Sequence, residues 1–482
     1  MAGAYRSSRY EEERKRKRRK AILMRILVGF VLVGILTGLF FGVRAVYRRI
    51  HSWVDSVMND PLLETTSSAA ASQTRAQTTE APDPLAPYET EIREAELKAL
   101  SYDYDAAVIL LQSLPVYASS DTLKNIVQDY LKAKTTLVKQ DISKVYHVYF
   151  HSLIVEPERA FGSYSQNPEH FNQSMTTLQE FEKILQQMYD NGFVLVNLHD
   201  IARKDMSGRF AQGAILLPDG KKPFVLSVDD VSYYEELKGA GFASKLLLDE
   251  TGRPVCEYRD REGQIQTGDY DVIPILERFV EQHPDFSYHG AKGCIALTGY
   301  EGIFGYHTAA YYANPSDPAY KPVYASYNVE QERKEALALC NRLKELGWEL
   351  ACHTWGHINM DTADLSRIQA DIQRWKAEVG SLTGETDILI FTSGNDIGNW
   401  RNYSSAENEK YAYLKSQGFC YFCPVDSYTI PWVQFNAEEG YLRQGRVGLS
   451  GYALAYRQEK LSVFFDAASI LDPARPLPVP GY

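Results

Sequence analysis

At 482 residues the chain is longer than one ordinary hydrophobic core sustains, so two or three structural units are expected. Its 45% apolar and 23% charged residues exclude a wholly disordered polymer. The first 54 residues hold 13 Lys+Arg against 3 Asp+Glu, which leaves 38 basic and 59 acidic residues elsewhere; that net charge of −21 argues against nucleic acid as a partner.

In chain order, a basic tail (1–20) precedes a 23-residue apolar stretch, residues 21–43, long enough to cross a bilayer as one helix. Arg25 lies near its start, where the side chain can extend to the headgroups. Basic residues are denser before the span than after it, so the tail is expected in the cytoplasm and the rest outside the cell membrane. A cleaved signal peptide is the alternative, but the apolar stretch is long and residues 40–44 offer no small-x-small cleavage site. Residues 55–90, rich in Ser, Thr, Ala and Pro, read as a disordered linker. Residues 91–140 show two helical patterns, with Leu97, Leu100, Tyr104, Ala106 and Leu110 spaced as in a tetratricopeptide-type hairpin. This segment is either a plain spacer or a surface for a protein partner.

From residue 144 to about 470, strand and helix patterns alternate. KVYHVYFHSLI, FVLVNL, FVLSVDD, KGCIAL, WELACH, DILIFTS and FCYFCPV read as strands. Between them lie helices such as the one opened by the capping box of Thr177 and Glu180. The fold class is therefore α/β, with parallel strands wrapped by helices as a barrel or a doubly wound sheet. Polar residues at strand C-termini then gather on one face. The six cysteines give no disulfide framework, and Cys420 and Cys423 read as buried free thiols because no second C-x-x-C exists.

Two pairs stand at strand ends. Asp229 and Asp230 close VLSVDD, where a polar cap before a helix is the simplest reading. His353 and His357, in HTWGH, are four residues apart and can share one divalent cation, with Asp230 as a third ligand and a position left for water. Together the two pairs make a metal site a stronger reading than either does alone.

The motifs Ser227-Val228-Asp229-Asp230-Val231 and His353-Thr354-Trp355-Gly356-His357 resemble the T-F-D-D-G and H-[ST]-x-x-H motifs of polysaccharide deacetylases, carbohydrate esterase family 4. The resemblance covers about residues 144–460. It implies a distorted (β/α) barrel and hydrolysis of N-acetyl groups on amino sugars, or O-acetyl groups on xylan, with one divalent metal, zinc or another transition metal. Carried over residue by residue, Asp230, His353 and His357 hold the metal, and Asp229 is the base that takes a proton from water. No histidine follows His357, so the late histidine acid of many members has no counterpart. The opening strand resembles the first strand of the permuted branch, that of exported poly-N-acetylglucosamine deacetylases. That likeness assigns the acid to His151, with a core histidine as the alternative; His147 reads as structural.

The chain also departs from the pattern. Val231 stands where the family has glycine, and residues 388–398 replace the family's R-x-x-P-Y segment. Backbone N–H groups of Ser393 or Gly394 could still face an oxyanion, and Arg446 is a candidate to tune Asp229. Asp426 and Trp432 are similar to a late family element whose tryptophan lines the acetyl pocket. His307, with Tyr311 and Tyr312, reads as a sugar-stacking loop. The expected protein is a membrane-anchored deacetylase acting on an acetylated surface polysaccharide or peptidoglycan, most simply at N-acetylglucosamine. The alternatives are an O-acetyl esterase, or a glycan-binding scaffold that kept the metal site and lost turnover.

Overall fold

A computed structural model describes residues 83–425 and 430–481. The basic tail, the expected membrane span, nearly all of the linker and Asp426 lie outside the described residues. Among the described residues no helix is long and apolar enough to cross a membrane.

A parallel sheet forms the centre. Its strands are β1 (Tyr146–Phe150), β2 (Phe193–Leu195), β3 (Lys222–Val228), β4 (Gly293–Leu297), β5 (Trp348–Cys352), β6 (Ile388–Ile390), β7 (Tyr421–Cys423), β8 (Trp432–Asn436), β9 (Tyr441–Gly445) and β10 (Val447–Gly448). They run in the order β8-β9-β7-β6-β5-β4-β3-β1-β10, with β2 paired to the start of β3. Only β8 and β9 pair antiparallel. The strand second from one end of this path, β9, and the strand at its other end, β10, are separated by a single residue. Leu442 and Arg443 pair with β7, Arg446 bridges to Val425, and Val447 and Gly448 pair with β1. One continuous strand, 441–448, thus changes neighbours and closes the sheet on itself. The barrel is irregular because β4 pairs only with the end of β3, at Ser227 and Val228, while β2 takes its beginning.

Period-two alternation sorts each strand. Phe224, Leu226 and Val228 face outward, into a core shared with Phe181, Ile184 and Leu185 of α4 and Leu339 and Leu343 of α6. Here α1 (Glu89–Leu100), α2 (Tyr104–Ser113) and α3 (Asp121–Lys134) form the N-terminal helical layer. Against the barrel lie α4 (Leu178–Asp190), α5 (Val272–Gln282), α6 (Val329–Glu345), α7 (Leu365–Trp375) and α8 (Glu409–Ser416). Each buried Leu or Ile there contributes about 1.5–3 kcal/mol. Val225 faces inward with Cys294, Ala296, Ala351, Ile390 and Cys423, which fill the lower barrel. Ser227 and Asp229 continue that inward row upward. The expected capping box at Thr177 and Glu180 is present, and all six cysteines are free and buried.

The helical layer has its own small core of Ala95, Ala107, Leu111, Leu123 and Val127. It meets the barrel through Tyr102, whose hydroxyl donates to the Asp285 carbonyl at 2.8 Å.

Candidate active site

Asp230 follows β3, and His353 and His357 follow β5, so neighbouring parts of one sheet present all three at the same barrel end. Their ligating atoms lie within 4.8 Å of one another. Asp230 Oδ1 stands 4.0 Å from His353 Nε2, and its Oδ2 stands 3.7 Å from His357 Nε2. A carbonyl can only accept, so the 2.8 Å contact from His353 Nδ1 to Ile390 O fixes the proton on Nδ1. The Nε2 lone pair then faces the carboxylate. Burial, more than any neighbouring charge, pushes the His353 pKa down, which favours the neutral imidazole that binds metal. This donor set fits a divalent transition metal. Among the described residues it is the only such cluster.

The loops carrying the cluster adopt costly backbone. Asp230, Thr354, His357 and Ser393 have φ of 58°, 60°, 49° and 53°, in the left-handed region that non-glycine residues avoid. Surrounding bonds enforce it. Asp371 accepts from the backbone N–H groups of Trp355 (2.7 Å) and Gly356 (2.9 Å), and the Trp355 indole donates to Glu378 at 3.0 Å. The HTWGH segment is therefore a braced loop rather than the first turn of a helix.

Asp229 is 4% exposed, and its own N–H donates to Phe150 O at 2.8 Å. Arg446 Nη1 donates to both carboxylate oxygens, at 2.7 and 2.9 Å, and to Ser227 Oγ at 3.1 Å. Burial alone would raise this carboxyl's pKa. The Arg446 charge outweighs burial and holds Asp229 at about 2. Tyr149 packs its ring on the guanidinium at 4.4 Å. Lower in the barrel His147 bridges Gln444 (3.1 Å) and Ser227 (3.0 Å), and burial keeps it neutral. That is the structural role expected of it.

A cavity of about 690 Å³ opens over these groups, and His151, Ser393 and Gly394 line it with Asp229, Asp230 and Arg446. His151 is half-buried, edge-on to Tyr149 at 5.7 Å, and close enough to Asp229 for its charge to lower that carboxyl's pKa. The Gly394 N–H already donates to Phe391 O at 3.2 Å, leaving Ser393 as the better oxyanion donor of the two. Glycine is obligatory at 394, because a Cβ there would sit 2.4 Å from Val425 Cβ.

Other expectations are corrected. His307 does not line the cavity: Tyr327 stacks on its ring at 3.9 Å, Glu332 accepts from its backbone N–H at 2.7 Å and holds Nδ1 at 2.9 Å, and Tyr311 and Tyr312 are buried beside it. Trp432 also lies off the cavity, edge-on to Trp400 at 4.9 Å and 5.1 Å from the Arg443 guanidinium; Val425 and Ile430 line the wall instead. Val231 is fully buried in the outer core, and the left-handed turn falls on Asp230, so this loop does not need the family's glycine.

Sequence reading missed Tyr234, whose hydroxyl donates to Asp230 Oδ1 at 2.7 Å, contacts Thr298 Oγ1 at 2.6 Å and fixes the orientation of that ligand. Its ring stacks on Tyr300 at 4.8 Å, and both line the cavity. The four-residue spacing from Asp230 was visible, but the turn that brings Tyr234 back was not.

A family model, Polysaccharide deacetylase, matches residues 319–406, which include both histidines of the cluster. No curated protein sequence matches the chain. Among solved structures, the Streptococcus pyogenes deacetylase PplD in complex with acetate is similar at 12% identity and a TM-score of 0.36, over 68% of this chain and 99% of that one.

Proposed function

From the polysaccharide deacetylase match at residues 319–406 and the cavity described above, we propose that the chain is a metal-dependent hydrolase of that family, removing N-acetyl groups from N-acetylglucosamine units of an extracytoplasmic glycan. The observation that carries this reading is the pairing of an ionised, Arg446-held Asp229 with the Asp230, His353 and His357 donor set in one cavity. A divalent cation on that set, zinc or another transition metal, would supply Lewis-acid polarisation of water and of the acetyl carbonyl.

The chain's own groups divide the rest. Asp229 takes a proton from the attacking water as its oxygen adds to the acetyl carbon. Arg446 keeps the carboxylate charged and fixed in direction. The Ser393 N–H is the donor for the developing oxyanion. His151 gives a proton to the amine as the C–N bond breaks, and acetate leaves with the water oxygen. Residues 21–43, the basic run before them and the linker after them support anchoring at the outer face of a membrane, with the helical layer as spacer.

The test is acetate release by the full chain from acetylated chito-oligosaccharides after chelation and after zinc is restored, with acetylated xylan as the ester arm. Release that needs zinc and falls away in Asp229→Asn is the expected result. Stoichiometric zinc binding without turnover on either glycan would overturn it in favour of a scaffold.

A further inference from the structure

Three neighbouring strands end at the cluster, but only two of them lead to its ligands. β4 runs between β3, which leads to Asp230, and β5, which leads to His353 and His357, and it supplies none of the three. Its C-terminal end is nevertheless bonded to both sides. Leu297 O accepts from the His353 N–H at 3.0 Å and from the Trp375 indole at 2.7 Å, and the Gly299 N–H donates to Trp355 O at 2.9 Å. Gly299 admits no side chain, because a Cβ there would sit 2.3 Å from Trp355 Cδ1. Between these two residues Thr298, which has no exposed surface, gives its hydroxyl to Tyr234.

The hydroxyl protons here stand in one order. Asp230 is ionised when it serves as a ligand, so it accepts, and the single Tyr234 hydroxyl proton points to its Oδ1 at 2.7 Å. The phenol oxygen then accepts from Thr298 at 2.6 Å, and the Thr298 oxygen accepts from Ser232 at 3.1 Å. Three hydroxyls, each donating to the next, thus end on a ligand carboxylate, and Ser232 and Thr298 are buried away from bulk water. Such chains strengthen their terminal bond, and the outer partners of a ligand govern its hold on a metal. We propose that Thr298 is a positioning residue for the metal centre: it acts through Tyr234 to hold the Asp230 carboxylate, so that β4, which supplies no ligand, helps to set how tightly the cluster binds its cation. The proposal rests on the metal-dependent reading of the same cluster.

The test is the zinc affinity of the full chain, measured by competition with a chromophoric chelator, alongside melting of the metal-free protein. Tyr234→Phe keeps the ring and its stack on Tyr300 and removes only the hydroxyl, and its zinc affinity should fall about 10–100-fold. Thr298→Val keeps the shape of the side chain; its loss should be about three- to tenfold, that of one neutral hydrogen bond, and Thr298→Ser should restore the parent value. The Tyr234→Phe/Thr298→Val double variant should bind zinc no more weakly than Tyr234→Phe alone, because Thr298 reaches the carboxylate only through the phenol. A merely structural hydroxyl would lower the metal-free melting point and leave the zinc affinity of the folded chain unchanged. Unchanged zinc affinity in Tyr234→Phe, no rescue by Thr298→Ser, or losses that add in the double variant would overturn the proposal. The expected zinc affinities in a chain that releases no acetate from any glycan would uphold the positioning role and sink the deacetylase reading. Zinc-dependent acetate release with affinity unchanged in both single variants would do the reverse.

Discussion

Arg443 and Arg446 lie three residues apart on the closing strand, both with no exposed surface and both against a buried aspartate, yet they support different chemistry. Arg443 donates to Asp396, to the Arg401 carbonyl at 2.5 Å and to Gln434 at 2.8 Å. Asp396 in turn accepts from the Tyr403 hydroxyl (2.5 Å) and from the backbone N–H groups of Trp400 (3.0 Å) and Gly398 (3.3 Å). Its acceptor positions are spent, and the pair pins the loop at residues 396–403. Asp229 is held through a single nitrogen of Arg446, and the cavity reaches it. A buried ion pair is a strut when its lone pairs are all occupied, and a held base when some stay open beside a substrate space.

The largest expected effect sharpens that contrast. Asp229→Asn, loaded with zinc, should lose about 10²–10⁴-fold in the initial rate of acetate release, the usual worth of a general base; a rate within threefold of the parent would break the comparison. Asp396→Ala should instead act on stability. It strands the Arg443 charge in the core, so urea unfolding should show a loss of about 3–5 kcal/mol, while the folded fraction keeps its turnover.

Arg446→Lys keeps the charge and loses the planar fork. Turnover should fall roughly tenfold, the worth of one charge-assisted hydrogen bond. The sign of its pH effect follows from the lowered pKa. Asp229 is ionised in the parent down to about pH 2, so weakening Arg446 raises that pKa and moves the acid limb of the rate profile to higher pH. An acid limb that stays put would assign the depression to another group.

The smallest effect concerns a third ion-pair cluster, at the opposite ends of the strands. Burial disfavours a charge on His199, but its bonds to Asp387 and Glu349 outweigh burial and raise its pKa to about 10. The stabilisation is fully present below the ordinary histidine value near 6.5 and fades as pH rises toward about 10. The side chain is 44% exposed, so solvent screening keeps the effect modest. Urea midpoints of the parent should decline across that window, and those of His199→Gln should be flatter.

The pairs at 229–230 and 353–357 were legible because they end strands with clear apolar patterns, and a strand end fixes which barrel face a residue joins. The closing strand left no such pattern. Leu442, Gln444 and Arg446 face inward while Tyr441 and Arg443 face outward, so polar residues occupy both sides and period two disappears. Arg446 could be suspected as the partner of Asp229, but no periodicity or spacing in the chain requires that pairing. His307 and Trp432 misled for a related reason: their aromatic rings are satisfied by Tyr327, Glu332, Trp400 and Arg443, partners that only the fold supplies.

The neighbour change at Arg446 also bears on the order in which the site is made. Asp229 and Arg446 are 217 residues apart in sequence, and the ligands Asp230, His353 and His357 all precede the strand that carries the arginine. A chain emerging N-terminus first can assemble its donor set and still lack the charge that holds Asp229, because so distant a contact bears a large loop-closure cost and forms late. Completion of the Asp229–Arg446 pair is thereby deferred until the strand at 441–448 has docked.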